Sequence, residues 1–445
     1  MIAIVGGGIS GLAAAYELSI RKTPFVLLEA SSRLGGLIHT QWIDGYTIEA
    51  GADSMLAQKR TALDLVAELG LSEELITVRK PRTSFVLHQG RLYPLPSPSV
   101  FGVPLTTAGL LRFGLLSPLG RARLALEPLI PRGASADESI GAFFRRRFGR
   151  EAAERLAQPL LGGIHAGDIE TLSLRTLAPR LASVEQRGSV LRWLRRTTVI
   201  DSHGPFRSFA SGMGRLVEAI RERLPADAVR LDCAVSSVGP GWRLDTSQGS
   251  VECDAVIIAA PAYAAARMLR DVDAEAARLC AQTGYVSTVS LALAWPREAV
   301  GHSLNGTGFV VARVSNALHL TACTWVTSKF EGRAPAGKIL LRAYMGGAHD
   351  PVAVDRSDDE LVGTAVGELS RILSITGPPE LARVYRWRNA GAQHDVAQAA
   401  RVETLQRRLL QHRVLFVTGS GFKAVGVPDC IADGRRTAIA AMGQV

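Results

Sequence analysis

The chain has 445 residues, 47% hydrophobic and 21% charged, which is ordinary for a globular protein and too long for one core, so two or three domains are expected. No run reaches the roughly 18 apolar residues that a spanning helix needs. A strand that starts at residue 2 leaves no room for a signal or transit peptide, so a cytoplasmic chain is expected. The net charge of +10 suits an anionic membrane surface or an acidic substrate. Nucleic acid is set aside, because arginine is spread along the chain instead of gathered in a basic tract with interleaved aromatics.

Ile2-Ala3-Ile4-Val5 reads as a strand, Gly6-Gly7-Gly8-Ile9-Ser10-Gly11 as a tight turn, and Leu12 to Leu18 as a helix. Gly6, Gly8 and Gly11 occupy the three places of G-x-G-x-x-G: the first for the turn, the second for backbone approach to a pyrophosphate, the third for packing of helix on strand. The helix N-terminus at Ile9 and Ser10 offers free N–H groups and a positive dipole end to phosphates. A second strand, Phe25-Val26-Leu27-Leu28, ends in Glu29, placed to accept hydrogen bonds from an adenosine ribose. Strand, turn, helix, strand and acid together predict a dinucleotide site.

After Glu29 and Ala30 comes Arg33-Leu34-Gly35-Gly36, where the glycines permit close approach and Arg33 can meet a phosphate as a charged fork. A turn and strand from Asp44 to Glu49 lead into Gly51-Ala52-Asp53-Ser54, whose small residues let backbone N–H groups face a flavin ring. Alternatively Asp53 or Ser54 caps a helix over Leu63 to Leu69. Ser84 to His88 and Arg91 to Pro96 form a hairpin around Gln89-Gly90. From Phe101 to about Pro179 the spacing is helical and arginine-rich, as in Ile140 to Phe148. Such helices either lie on a membrane surface or form a lobe whose arginines are solvated.

An amphipathic helix follows Ser211-Gly212-Met213 and is stopped by Pro225. Val229 to Val238, Trp242 to Thr246 and Ala255 to Ala260 read as strands, the last a continuous apolar run suited to a parallel sheet covered on both faces. Thr288 to Trp295, Gly308 to Val314, His319 to Val326 and Ile339 to Tyr344 alternate as an antiparallel sheet does. Asp358 to Leu373 is a helix, and Val384-Tyr385-Arg386-Trp387 a further strand. Val414 to Thr418 is another buried-type strand; Gly419-Ser420-Gly421 turns, and Val425-Gly426-Val427-Pro428 leads into a last helix whose N-terminus would stabilise the charge a flavin gains on reduction. The five cysteines form no C-x-x-C pair and read as buried thiols.

With these stretches, and with Gly90-Arg91-Leu92-Tyr93-Pro94, Gln158-Pro159-Leu160-Leu161-Gly162-Gly163-Ile164-His165-Ala166-Gly167-Asp168 and Val425 to Ile431, the chain resembles the flavoprotein oxidases of haem biosynthesis that act on protoporphyrinogen or coproporphyrinogen III, within the amine-oxidase-like flavin fold. The resemblance runs almost end to end. It implies an α/β fold with α+β inserts: a discontinuous Rossmann-like FAD domain (1–80, 205–261, 405–445), a mixed-sheet substrate domain (81–100, 180–204, 262–404) and a helical, membrane-associating domain (101–179). It implies non-covalent FAD, with Val235 pairing its backbone to adenine and with Trp387, Gly419, Val425, Gly426 and Val427 among the cofactor contacts.

The implied reaction moves hydride from a meso carbon of a porphyrinogen to the flavin, reoxidised by oxygen or a quinone, with protoporphyrinogen IX as first reading and coproporphyrinogen III as its alternative. A monomer or homodimer, peripheral on the cytoplasmic membrane face and able to hand its product to the next haem-pathway enzyme, is implied too. The rivals are an amine oxidase or desaturase on the same scaffold, and a flavin-bound porphyrin carrier. Such chemistry asks mainly for positioning, so no acid–base residue or metal site is assigned, and His39, His165 and His394 read as isolated structural residues. Relatives often place a basic residue where this chain has Ser84, so Arg82 is the substitute for holding a substrate propionate. Lys423 keeps the charge of a position that is more often arginine but loses the fork.

Overall fold

Segments from the start, middle and end of the chain interleave in one parallel sheet, in a computed structural model that describes residues 1–133, 137–198, 201, 203–312 and 318–444. The strand order is Val229–Arg230, Phe25–Leu28, Ile2–Val5, Ala255–Ile258, Leu415–Val417. Alternate side chains explain the unbroken apolar runs. Ile2 and Ile4 pack with Leu12 of the Ile9–Ile20 helix and Ile431 of the final Val427–Met442 helix, whereas Ala3 and Val5 pack with Val238, Leu244 and Val402 on the other side. Both faces are dry, so truncating Ile4 to alanine is a core deletion costing about 2–5 kcal/mol.

The expected strand from Val229 to Val238 is two. Asp232 takes a positive φ of 53°, turning the chain, so Val229–Arg230 stays in the parallel sheet while Val235–Val238 joins a three-stranded antiparallel sheet with Arg243–Thr246 and Gly249–Glu252. Neither Asp53 nor Ser54 caps the next helix: Arg60–Glu68 starts after Lys59 with no side-chain cap.

A seven-stranded sheet has the order Leu381–Gln393, Gly284–Pro296, Lys338–Gly346, Leu320–Trp325, Gly308–Val311, Ser84–His88, Arg91–Pro94. Positions 313 and 314 of the expected fifth strand lie outside the described residues. One face carries Val289, Leu291, Leu341, Met345 and Trp325 and is covered by Leu361, Leu369 and Leu373 of the Asp358–Leu373 helix. Period-two alternation puts polar residues on the other. Tyr385, Ser290 and Tyr344 form one cross-strand row there; Ala292, Arg342 and Thr324 form the next.

The helical region comprises Thr107–Arg112, Pro118–Ala125, Ile140–Phe148, a π-helical stretch Ala153–Gly162, and further helices to Val190–Thr197, around a core that includes Phe143, Phe144, Phe148, Leu156 and Leu194. Pro159 sits inside the π stretch, where its missing N–H suits the wider turn. Not all its arginines are solvated. Arg147 is fully buried, donating to the Ile130 and Gly188 carbonyls at 2.7 Å each, with Glu185 at 3.1 Å and Glu127 at 3.4 Å. Among the described residues, no helix is long and apolar enough to cross a membrane.

Candidate functional site

At the opening turn, Gly6 has a φ of +107°, and a Cβ on Gly11 would lie 1.9 Å from the Gly6 carbonyl, so only glycine lets this helix meet its strand. Gly8 differs: a Cβ there would meet nothing within 4 Å, and no side chain caps the helix it begins. The Arg33–Gly36 loop closes over this gap. Gly35 N–H donates to the Gly7 carbonyl at 2.8 Å, and a Cβ on Gly36 would come 3.1 Å from Gly8 Cα. An open cradle between two glycine backbones, at an uncapped helix N-terminus, fits the pyrophosphate of FAD.

Glu29 accepts Gly7 N–H on Oε2 at 2.6 Å, and Ser31 N–H and hydroxyl on Oε1 at 2.8 and 2.6 Å, which leaves Oε2 a lone pair for a ribose hydroxyl. Cys233 N–H donates to the Glu29 carbonyl at 2.8 Å, setting buried Val235 two residues further along the same side; Ala30 is exposed. Arg33 folds back onto its own loop, donating to Gly36 at 2.8 Å and to Leu34 and Ile38 at 3.3 Å, so here it braces the turn instead of reaching outward.

The C-terminal loop returns to the same place. Gly419, with φ of +105°, donates to Asp433 Oδ2 at 3.0 Å, and a Cβ on it would lie 3.2 Å from Ser10 Oγ. Asp429 accepts Gly426 N–H at 3.3 Å and Lys59 Nζ at 2.6 Å, tying the stretch beyond Ser54 to the start of the last helix. Ile9, Leu34, Ala52 and Val427 pack against one apolar cluster, so residues from four distant sequence stretches converge. Val425 and Gly426 are half-buried beside them.

Between this convergence and the polar face of the large sheet lies the Ala50–Ser54 segment. The Ala50 carbonyl accepts three donors, Ser290 Oγ at 2.8 Å, Arg342 Nη2 at 2.7 Å and Trp387 Nε1 at 2.9 Å. A Cβ on Gly51 would lie 1.7 Å from the Leu37 carbonyl. Asp53 pairs with Lys329 at 2.7 Å and accepts the Ser54 hydroxyl at 2.6 Å. Burial alone raises its pKa, but Lys329 and Arg342 more than offset this and hold it well below the usual carboxylate range. Lys329 also stands over the rings of Phe330 and Phe206, at 5.0 and 5.5 Å.

Ser84 Oγ is 2.8 Å from Thr307 Oγ1. Arg82 donates to the Val78 carbonyl at 2.8 Å and lies against Gly204, while Lys423 is exposed on the C-terminal loop. The structure thus spreads these three over two walls. The histidines are not isolated. His39 meets Tyr385 edge-on at 6.3 Å, His394 Nε2 is 2.8 Å from the Ser420 carbonyl, and His165 is close enough to His394 to feel its charge. Lys329, Arg342, Tyr344 and Tyr385 escape the sequence reading. Strand alternation puts the last three on the polar face but does not say what that face opposes.

The profile of the flavin containing amine oxidoreductases matches residues 9–442. The coproporphyrinogen III oxidase of Bacillus subtilis (strain 168) is 37% identical, covering 98% of this chain and 96% of that one. The chloroplastic protoporphyrinogen oxidase 1 of Spinacia oleracea is 30% identical over 96% of this chain and 81% of its own. A crystal structure from Exiguobacterium sp. 255-15, provisionally named a protoporphyrinogen oxidase, superposes with a TM-score of 0.88 at 30% identity, covering 100% of this chain and 99% of that one.

Proposed function

This chain belongs to the flavin containing amine oxidoreductase family, and from that premise we propose that it is an FAD-dependent porphyrinogen oxidase of haem biosynthesis. The observation that carries the reading is the convergence of the Gly6–Gly11 turn, the Gly35–Gly36 loop and the Gly419–Val427 loop opposite a polar sheet face bearing Tyr344, Tyr385 and Arg342.

FAD, when bound, would supply an acceptor for the hydride (a proton with two electrons) that a meso carbon gives up, the pyrrole N–H proton leaving to solvent. The chain's own residues do the rest. Gly8 and the helix behind it hold phosphates, Glu29 holds the ribose, and Gly51 to Ser54 border the ring. Arg82, Ser84 and Lys423 are the proposed polar contacts for a flat, acid-bearing macrocycle, with the exposed ring of Phe206 as an apolar contact. Oxygen or a quinone is the proposed final acceptor.

Between the two candidate substrates, the names of the relatives at 37% and 32% identity favour coproporphyrinogen III, with four propionates. Incubation with both porphyrinogens in parallel tests this. Faster porphyrin fluorescence from coproporphyrinogen III is expected, and faster oxidation of protoporphyrinogen IX would reverse the preference.

A peripheral membrane contact is part of the proposal. Leu111, Leu119 and Leu129, in three separate short helices of the lobe (Thr107–Arg112, Pro118–Ala125 and Glu127–Leu129), are 67%, 83% and 75% exposed, with Arg112 and Arg132 exposed beside them in sequence. Leucines at the surface with arginines around them suit an anionic bilayer.

A further inference from the structure

Arg342 is a buried cation without a carboxylate of its own. It is 6% exposed, its Nε has no partner, and it lies over the Tyr344 ring at 4.9 Å. The two nearby acids are already claimed, Asp53 by Lys329 at 2.7 Å and Glu49 by Arg333 at 3.1 Å. Among the described residues, no carboxylate makes an ion pair with Arg342, so three cations face two carboxylates here. Burying an unpaired charge is costly, and such a surplus persists where a bound group makes use of it.

Its one described hydrogen bond shows where it acts. Nη2 grips the Ala50 carbonyl. In a trans peptide the N–H of Gly51 points opposite to that carbonyl, and this N–H has no partner among the described residues. The donors on Ala50 therefore polarise the Ala50–Gly51 peptide and aim its free N–H away from the sheet, along the segment that borders the flavin in the reading above.

We infer that Arg342 is a positioning residue for the flavin ring: it orients the Gly51 N–H and leaves the cluster one positive charge in excess of its carboxylates, which favours the electron-rich state of the ring. This rests on the flavin reading and adds to it, because the final helix N-terminus is a separate source of positive potential.

The test compares the flavin-loaded parent with Arg342→Gln, Arg342→Lys, Ser290→Ala and Thr324→Asp. Thr324 lies directly across the strand pair from Arg342, so an aspartate there neutralises the charge without removing it. Sulfite binding and midpoint potential of the bound flavin are the readouts, since positive charge at the ring strengthens both. Arg342→Gln and Thr324→Asp are expected to weaken sulfite binding about tenfold, equivalent to about 30 mV for a two-electron couple. Arg342→Lys should stay near the parent, and so should Ser290→Ala, which removes an Ala50 donor but no charge. Parental sulfite affinity in both Arg342→Gln and Thr324→Asp overturns the inference, as does a Ser290→Ala loss equal to that of Arg342→Gln. Should Arg342→Gln fail to hold flavin, Thr324→Asp decides alone. A parent protein that binds no flavin defeats the functional reading instead, so the two failures are distinct.

Discussion

Lys329 Nζ stands 2.7 Å from Asp53 Oδ2, joining the Val326–Lys329 turn of helix after a sheet strand to the loop that follows Tyr46–Glu49. Both side chains are mostly buried, at 13% and 21% exposure. Removing one partner of such a pair costs more than removing both, because the survivor is left charged and unsolvated. Lys329→Met is expected to destabilise the protein by about 2 kcal/mol and, in the proposed site, to slow anaerobic flavin reduction about tenfold, because a carboxylate that has lost its ion-pair partner then stands beside the segment proposed to border the ring. The double variant Lys329→Met/Asp53→Asn should recover most of both. Strict additivity of the two single variants would contradict the coupling.

The opening turn predicts opposite outcomes for two similar changes. A Cβ on Gly11 collides with the Gly6 carbonyl at 1.9 Å, so Gly11→Ala should lower the melting temperature whether or not FAD is present. Gly8 has an ordinary extended backbone (φ −69°, ψ 175°) and open space around it, so Gly8→Ala should leave the unloaded fold intact. Its methyl group fills the cradle, and FAD affinity should fall by about tenfold or more, a loss of about 1.4 kcal/mol. Equal FAD affinity in Gly8→Ala and parent, by equilibrium dialysis, would remove the phosphate role from this turn.

His165 sets a pH dependence. Burial, with a smaller push from the charge of His394, lowers its pKa from 6.5 to about 4. The unfolded chain therefore takes up a proton near pH 6.5 and the folded protein only near pH 4, so stability falls as the pH drops through this window. The contribution is at most about 3 kcal/mol. His165→Phe, which cannot titrate, should flatten that acid limb in urea titrations while leaving stability at neutral pH nearly unchanged. An acid limb of undiminished slope in the variant would show that His165 is not its source.

The helical lobe carries the membrane proposal. Leu111, Leu119 and Leu129 each gain about 1.5–3 kcal/mol if fully buried in the headgroup boundary. Changing all three to serine should reduce sedimentation with anionic vesicles at least tenfold. Vesicle binding that persists in the triple variant, or that is equal for zwitterionic lipid, would place the contact elsewhere.

The opening strand, turn, helix and second strand were legible because their signals are local: Gly6, Gly8 and Gly11 report on their own backbone, and Glu29 ends its own strand. The final helix was legible for the same reason, with Pro428 in its first turn and its expected end at Met442. What stayed hidden depends on pairing at long range. Alternation along Ile339 to Tyr344 identifies two faces, yet only the fold reveals that Arg342 meets Ala50 across 292 residues. The carboxylate of Asp53 suits a helix N-cap by its local sequence, but a lysine 276 residues away claims it instead. Ser31, which both donates to Glu29 and braces the Arg33 carbonyl, had no periodicity to betray it.

The most direct test of the whole account is anaerobic mixing of the purified, FAD-soaked protein with coproporphyrinogen III, followed by visible absorbance and porphyrin fluorescence. The account predicts a yellow protein whose flavin absorbance bleaches as porphyrin appears, and returns when oxygen is admitted. A protein that stays colourless after soaking, or whose flavin stays oxidised with both coproporphyrinogen III and protoporphyrinogen IX, would contradict it.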